Sequence, residues 1–243
     1  MLPETPSTNA VAADRVRAGA PEGLVITTEH QYAGRGRLDR VWQTPPRSAI
    51  AVSAVLRPDV PAMRWTTLPL VAGVAVARTL VDLGYDAGLK WPNDVLLRTD
   101  GQERKVCGIL VERIEAAADA GGPAAVVGIG LNTSLSLEEL PVETATSLAV
   151  AGGAPVDRTA ILVALLEQLA TTYRTWLADP AELLAAYTAI SISLGRAVRA
   201  ELPGGAVLAG TAIAIDEVGR LVIAHEGTTT AVGAGDVVHA RLA

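Results

Sequence analysis

The sequence is poor in several residue types, and each shortage excludes a class of protein. Among its 243 residues there is one cysteine, so no intramolecular disulfide can form, as suits a reducing compartment. Phenylalanine is absent and tryptophan and tyrosine number four each, so the core must consist of aliphatic side chains. The longest apolar run, residues 65–77, ends at Arg78 and is shorter than the ~20 residues of a membrane span. Since the N-terminus also lacks a basic and apolar leader, the sequence predicts a soluble cytoplasmic protein without a membrane partner.

Positive charge is limited as well. The net charge of −6 argues against a protein that wraps nucleic acid, because such binding neutralises phosphates with basic side chains. Of 20 cationic residues only Lys90 and Lys105 are lysines. The presence of these two lysines can be chance. Both, however, lie in unusual local sequences, LKWPND and KVCGIL, and the compact ammonium of lysine differs physically from the planar guanidinium of arginine.

The first two thirds of the chain predict an α+β fold around a mixed β-sheet. Cap-type residues followed by a short apolar pattern indicate a helix at 7–19, and a longer apolar pattern indicates a mostly buried helix at 64–84. Alternating and β-branched segments indicate the strands. These strands are predicted at 23–30 and 48–57, on both sides of a turn at Asp100-Gly101, and at 123–134.

In the last third of the chain the sequence pattern becomes helical and then strand-like. Helical spacing predicts one helix over 157–178, and Asp179-Pro180 ends it and begins a second that runs to about Ile190. Five short strand-like segments separated by glycines then predict a small all-β module, a partly open barrel. We therefore expect two domains, residues 1–190 and 191–243.

The stretch QYAGRGRLDRVW, residues 31–42, is a candidate binding loop. Its glycines permit close approach of the backbone to a ligand. The guanidinium groups of Arg35 and Arg37 can form paired hydrogen bonds with phosphate or carboxylate oxygens, and Trp42 could stack on a base. The alternative is a solvated surface loop. The stretch matches neither the phosphate loop nor the dinucleotide fingerprint, because it lacks GxxxxGK[ST] and the third glycine respectively.

Three further motifs are ambiguous when taken singly. KWPND (90–94) presents amide and carboxylate side chains at a proline bend, which is also ordinary turn chemistry. KVCGILVE (105–112) places Lys105 three residues before Gly108 on a strand, where a lysine can equally protect an exposed edge. GIGLN (128–132) could bring backbone amides to a ligand or simply end a strand.

The remaining reactive residues favour no catalytic nucleophile or metal cage. Cys107 has no histidine or acidic partner nearby in sequence, which favours an inert core residue. His30, His225 and His239 are scattered without metal-ligand spacing. Mg²⁺ held through phosphates and one carboxylate stays open, since that ion needs few protein ligands.

Taken together and in order, these motifs resemble those of biotin protein ligases. The resemblance begins with STN (7–9), continues through EHQYAGRGR (29–37), KWPND and KVCGILVE, and ends with GIGLN. The terminal module is similar to the family's small SH3-like C-terminal domain. The resemblance spans nearly the whole chain. It implies a catalytic domain of the biotin/lipoate ligase type.

The resemblance also implies a reaction and a set of site residues. Biotin and ATP form biotinoyl-AMP, and a lysine of a carrier domain then attacks this anhydride, with no covalent enzyme intermediate. The implied catalytic residues are Lys105, Arg35 and Arg37. The implied biotin-binding residues are Ser7, Thr8, Asn9, Gln31, Gly34, Arg35, Lys105, Gly108 and Gly128. The implied ATP-binding residues are Arg37, Trp42, Lys90, Asn93 and Asn132, with Asp94 for Mg²⁺.

The implied partner is the biotin carboxyl carrier protein or domain of biotin-dependent carboxylases, and the enzyme is expected as a monomer or homodimer. Some relatives carry an N-terminal DNA-binding domain. Here STN begins at residue 7, so we expect a ligase that does not bind DNA. Two alternatives stay open: a lipoate or octanoate ligase or transferase of the same fold, and a non-catalytic adenylate sensor.

Overall fold

The computed structural model describes residues 1–37, 40–152, 157–202 and 205–233, together with the backbone of 236–239. It confirms the α+β class expected from the sequence. The helices are α1 (Thr8–Arg17), α2 (Leu68–Asp82), α3 (Leu148–Gly152), α4 (Arg158–Ala178) and α5 (Pro180–Ile190). The first strands are β1 (Val25–Thr28), β2 (Gly34–Arg35), β3 (Val41–Trp42), β4 (Ala49–Leu56), β5 (Ala87–Lys90), β6 (Asp94–Thr99), β7 (Gln102–Ile114) and β8 (Ala124–Asn132). The C-terminal strands are β9 (Ala197–Glu201), β10 (Val207–Ile215), β11 (Leu221–His225), β12 (Thr228–Val232) and β13 (Asp236–His239).

A six-stranded sheet forms the larger part of the molecule, in the order β1-β4-β8-β7-β6-β5. Neighbouring strands in it are antiparallel throughout, whereas the sequence predicted a mixed sheet. Within the described ranges, parallel pairing is confined to isolated bridges such as Leu2 with Thr28. The central strands β4 and β8 are almost entirely buried, because helices cover both of their faces in part.

Helices cover the two faces of this sheet unequally. Side chains alternate between the faces along each strand. On one face, α1 packs its Ala12 and Val16 onto Val55 and Val126. On the other face, α2, α4 and α5 bury a much larger apolar cluster, as the apolar run of α2 predicts. The short helix α1 therefore leaves part of its face of the sheet uncovered.

The uncovered part carries residues with almost no side chain. Gly128 lies opposite Ser53 of β4, and Gly130 lies opposite Gly108 of β7. We call Gly108, Gly128 and Gly130 the glycine floor. Glycine weakens a strand unless something must approach the backbone closely, so this floor marks a place for another group.

Local sequence signals account for the ends of several elements. The Ser7 side chain accepts a hydrogen bond from the Ala10 amide at 3.4 Å, and Asp157 and Asp179 cap α4 and α5 in the same way. Asp100 and Gly101 turn between β6 and β7 with φ of 53° and 71°, the left-handed region that an Asp-Gly hairpin turn requires. These predicted features are confirmed.

The prediction was wrong about the segment before that turn. One strand was expected before Asp100, whereas β5 and β6 are separate strands with a turn between them. Pro92 lies in this turn and has no N–H to give to a β ladder. Sequence reasoning also missed α3 and the short hairpin of β2 and β3, which pairs Gly34 with Trp42.

The C-terminal module is a five-stranded antiparallel sheet in the order β12-β11-β10-β9-β13. It meets the larger part at Trp91, whose Nε1 donates to the Gly219 carbonyl at 2.9 Å. An ion pair joins Arg196 to Glu103 with two contacts of 2.6 Å each. In the part of the chain described here, none of the helices has the length and apolar character needed to span a membrane.

Candidate active site

A cavity of about 1910 Å³ opens above the glycine floor. The elements around it come from distant parts of the sequence: the start of α1, the β2–β3 hairpin, the turn after β5 and strands β7 and β8. All but one of the predicted site residues line it, and the exception, Gly34, lies in the hairpin beside it. The lining residues from the prediction are Ser7, Thr8, Asn9, Gln31, Arg35, Arg37, Trp42, Lys90, Asn93, Asp94, Lys105, Gly108, Gly128 and Asn132.

One end of the cavity is a buried polar network, which we call the polar pocket (Thr8, Asn9, Gln31 and Ser53). Thr8 and Asn9 are 4 % and 5 % exposed, and Ser53 is fully buried. Gln31 Oε1 accepts from the Thr8 amide at 2.9 Å and from its hydroxyl at 3.2 Å. The Ser53 hydroxyl lies 2.7 Å from Thr8 Oγ1 and 2.6 Å from Asn9 Oδ1, and can donate to either. These side chains are held in place by one another before any ligand arrives.

The glycine floor fits closely under its neighbours. A Cβ atom on Gly128 would collide with Asn9 Oδ1, and one on Gly130 would lie 2.7 Å from Trp42 Nε1. A Cβ on Gly108 would lie 3.0 Å from the Trp42 ring. The Trp42 indole therefore rests on the floor at Gly108 and Gly130.

The other end of the cavity is cationic, and we call its residues 34–37 the Gly/Arg segment. Arg35 donates to Glu112 Oε1 at 3.2 Å, and its side chain is 53 % exposed. Arg37 donates to Asn93 Oδ1 at 3.2 Å. Gly34 is buried between the Gln31 side chain and the Trp42 carbonyl, where a side chain would clash with both.

An ammonium–carboxylate pair also lines this cavity. Lys105 Nζ is 2.6 Å from Asp94 Oδ1, and the side chains are 32 % and 22 % exposed. The same Nζ lies 5.6 Å from the centre of the Trp42 ring, within cation–π range. Lys90 also lines the cavity, and it has no ion-pair partner among the described residues.

Asn132 presents an unused acceptor at the edge of the cavity. Its Nδ2 donates to the Thr146 carbonyl at 3.0 Å, and the residue is 3 % exposed. Its Oδ1 is buried and has no hydrogen-bond partner in the described part of the chain. An unpaired buried acceptor carries a free-energy cost, so this atom is suited to receive a donor from a ligand.

Cys107 is an inert core residue, as expected. It is fully buried, and desolvation raises the pKa of its thiol although the Lys105 charge opposes this. Within the residues that the structure describes, no group of three metal-binding side chains comes together.

Several residues of the site were not predicted from the sequence. Ser53 and Gly130 complete the pocket and the floor, and Glu112 and Arg196 stand at its edges. A lone serine within the apolar strand AIAVSAVL and the alternation of glycines in GIG were usable signals, since residues two apart share a face.

Comparison with known proteins identifies this arrangement. The model of the Biotin/lipoate A/B protein ligase family matches residues 1–132, and the Biotin protein ligase C terminal domain matches 193–240. The chain is 41 % identical over 247 residues to the biotin–acetyl-CoA-carboxylase ligase of Mycobacterium tuberculosis, covering 99 % of this chain and 88 % of that protein. The chain belongs to the biotin protein ligase family.

Other members support the same relationship. The biotin–acetyl-CoA-carboxylase ligase of Paracoccus denitrificans is 32 % identical over 231 residues, which cover 92 % of each protein. The structure of the Aquifex aeolicus biotin protein ligase in complex with biotin and ATP superposes with a TM-score of 0.81 at 26 % identity. That match covers 98 % of this chain and 97 % of the other. The expected biotin/lipoate ligase fold with a small SH3-like C-terminal domain is thus confirmed.

Proposed function

We propose that this biotin protein ligase activates biotin with ATP in the cavity above the glycine floor and then biotinylates a carrier lysine. The observation that carries the proposal is the Lys105–Asp94 pair, which lines the same cavity as Thr8, Asn9 and Gln31 of the polar pocket and Arg35 and Arg37 of the Gly/Arg segment. An ammonium in a cavity that has both neutral polar and cationic groups suits a reaction that joins a carboxylate to a phosphate.

The polar pocket supports biotin binding. A cyclic urea offers two N–H donors and one carbonyl acceptor, and buried hydroxyl and amide groups can match these without carrying charge. Ser7, Thr8, Asn9 and Gln31 would hold the ring, with the chain of biotin lying along Gly108 and Gly128. Gly34 would keep Gln31 in position, because the glycine lies against that side chain.

The Lys105 ammonium would act on the two reacting groups. The biotin carboxylate attacks the α-phosphorus of ATP, a C–O–P linkage forms and pyrophosphate leaves. Both reactants are anions, and Lys105 with Arg35 and Arg37 would reduce their repulsion and stabilise the charge of the transition state. Breaking the contact between Lys105 and Asp94 would be part of binding, because the biotin carboxylate competes with Asp94 for the same ammonium.

The nucleotide would occupy the end of the cavity beyond Lys105. Asn132 Oδ1 would accept from the exocyclic amine of adenine, since that oxygen is otherwise unpaired among the described residues. Lys90, Asn93 and Arg37 would contact the phosphates, and Arg37 would leave Asn93 for this purpose.

Trp42 has to move for two predicted roles to hold together. Its indole lies over Gly130 and over Gly108, and Gly108 is one of the two glycines along which the chain of biotin is expected to lie. The indole can stack on adenine only after leaving this position. Binding of biotin would thus release the indole for the nucleotide, which gives the two substrates a physical reason to bind in that order.

Asp94 would hold Mg²⁺ only together with phosphate groups of the nucleotide. Asp94 belongs to no group of three metal-binding side chains among the described residues, and this ion is commonly held by substrate phosphates, water and one carboxylate. Bound there, the ion would neutralise phosphate charge. The carboxylate of Asp94 would hold it after losing Lys105 to the substrates.

In the second step, the amine of a lysine in a biotin carboxyl carrier protein attacks the carbonyl carbon of biotinoyl-AMP. An amide forms, the bond to the phosphate oxygen breaks and AMP leaves. No protein nucleophile is needed, in agreement with the buried, protonated thiol of Cys107.

The direct test measures AMP release and carrier labelling with purified protein, ATP, Mg²⁺ and a carrier domain. We expect both to require biotin, with one AMP formed for each biotinylated lysine. Lipoate and octanoate are supplied in parallel. Labelling by lipoate or octanoate alone would assign the chain to the related ligases, and binding of biotin and ATP without any AMP would indicate a sensor.

A further inference from the structure

Glu112 is the last residue of the KVCGILVE motif, and it has no role in the reaction proposed above. It lies on β7, on the same face as Gly108, because residues two and four apart point the same way along a strand. Its side chain is 29 % exposed, and with Arg35 and Arg37 it lines a second cavity of about 660 Å³.

The two carboxylate oxygens of Glu112 bind two different elements. Oε2 accepts from Asn9 Nδ2 at 2.7 Å, and Oε1 accepts from Arg35 at 3.2 Å. Asn9 belongs to the polar pocket, whereas Arg35 belongs to the Gly/Arg segment. Glu112 therefore contacts the polar pocket and the Gly/Arg segment at the same time.

The contact with Glu112 also decides which way the Asn9 amide points. A carboxylate can only accept hydrogen bonds, and the Leu110 carbonyl, 3.3 Å from the same Nδ2, can only accept as well. Asn9 must therefore turn its NH₂ group towards β7 and its Oδ1 towards Ser53. The oxygen that the pocket offers to a ligand is thus fixed from outside the pocket.

The contact with Arg35 has a different character. It is long for a charged pair, and the guanidinium is more than half exposed, so water competes strongly for it. An anion in the cavity can take Arg35 from Glu112 while the shorter bond to Asn9 stays in place. The carboxylate thereby provides a resting position for the arginine until the anionic intermediate forms.

The geometry points to Glu112 as a positioning residue that orients Asn9 for biotin and restrains Arg35 until biotinoyl-AMP is present. This inference rests on the proposed function. Two effects should follow from Glu112→Gln. Biotin should bind about tenfold more weakly, the size expected when a hydrogen bond to a charged group is replaced. The Gly/Arg segment should also retain the intermediate less well, so that more pyrophosphate is released than carrier is biotinylated.

The experiment compares wild type, Glu112→Gln and a matched control, Glu115→Gln. Glu115 follows the same strand, is exposed and pairs with Arg113 at 2.8 Å outside the active site. Biotin affinity is measured by calorimetry without ATP, and the ratio of pyrophosphate to biotinylated carrier is measured during turnover. Loss of folded protein lowers both products equally and leaves the ratio unchanged, so the ratio separates positioning from stability.

A double variant, Glu112→Gln with Arg35→Gln, tests whether Glu112 acts through Arg35 when the intermediate is retained. We expect the double variant to have the same ratio of pyrophosphate to biotinylated carrier as Arg35→Gln alone, but to bind biotin more weakly. Glu112→Gln with wild-type biotin affinity and a wild-type ratio would overturn the inference and leave the proposed function intact. A wild-type protein that forms no biotinoyl-AMP would instead overturn the proposed function.

Discussion

The two ends of the active site are built on different principles. In the polar pocket the hydroxyl and amide groups are buried and already bonded to one another, with Ser53 fully buried. In the Gly/Arg segment Arg35 is more than half exposed and rests on a distant carboxylate. A preformed site loses little conformational entropy when it binds a small neutral ring, whereas charged side chains on a short hairpin can adjust to an anion that exists only during turnover. Under the proposed function, the pocket would select biotin and the segment would protect the intermediate.

The largest effect should come from the Lys105 ammonium. Replacing Lys105 by Ala removes the positive charge that we propose acts on the reacting groups, and we expect adenylate formation to fall about 100- to 1000-fold. Pyrophosphate release measures this. Lys105→Arg keeps the charge in a different shape and should fall in between. A folded Lys105→Ala protein with wild-type rates would show that Lys105 does not take part in adenylate formation.

A smaller effect tests whether the polar pocket is truly preformed. In Gly128→Ala the new methyl group would displace Asn9, and the lost hydrogen bonds should weaken biotin binding by roughly 2 kcal/mol, about thirtyfold in Kd. Calorimetry with biotin alone measures this effect.

Gly73→Ala is the control for that variant, because Gly73 lies in α2 and a methyl group there would meet Leu89 Cδ2 at 3.4 Å, an ordinary contact. This control should bind biotin like the wild type. If Gly128→Ala also binds like the wild type, the pocket adapts and the contrast between the two ends disappears.

The smallest effect concerns the C-terminal domain, which contributes Arg196 to the lining of the cavity. Arg196 holds this domain to β7 through Glu103, and both residues line the cavity near Lys105. Because the pair is partly exposed, Arg196→Gln should cost about 1 kcal/mol of unfolding free energy or less. It should raise the KM for ATP while the KM for biotin stays unchanged.

Arg199→Gln is the matched control, since Arg199 lies three residues after Arg196, on β9, but pairs locally with Glu201 at 3.7 Å, with both side chains exposed. It should change neither constant. An equal rise of both KM values in Arg196→Gln would mean that the domain supports the whole site rather than its nucleotide end.

Sequence reasoning recovered what depends on neighbouring residues. The Ser7 cap, the Asp100-Gly101 turn and the start of α5 after Asp179 follow from the backbone preferences of a few adjacent side chains. The motifs also led to a set of residues that the fold gathers into one cavity, although their individual roles stay predictions.

What the sequence did not reveal depends on contacts between distant segments. Glu112 meets Asn9 across 103 positions and Arg35 across 77, and no local pattern marks such pairs. The strand order, with β4 between β1 and β8, is likewise a product of long-range pairing. The resting place of Trp42 on the glycine floor could not be inferred from a motif that also suits stacking on a base.

Hydrogen–deuterium exchange tests the contrast between the two ends most directly. Exchange is compared between the free protein and its complex with a non-hydrolysable analogue of biotinoyl-AMP. We expect peptides containing Arg35–Arg37 to gain strong protection, while peptides from the start of α1 are protected already and change little. Equal gains at both ends, or a larger gain at α1, would contradict the view that the polar pocket is formed in advance and that only the cationic end reorganises.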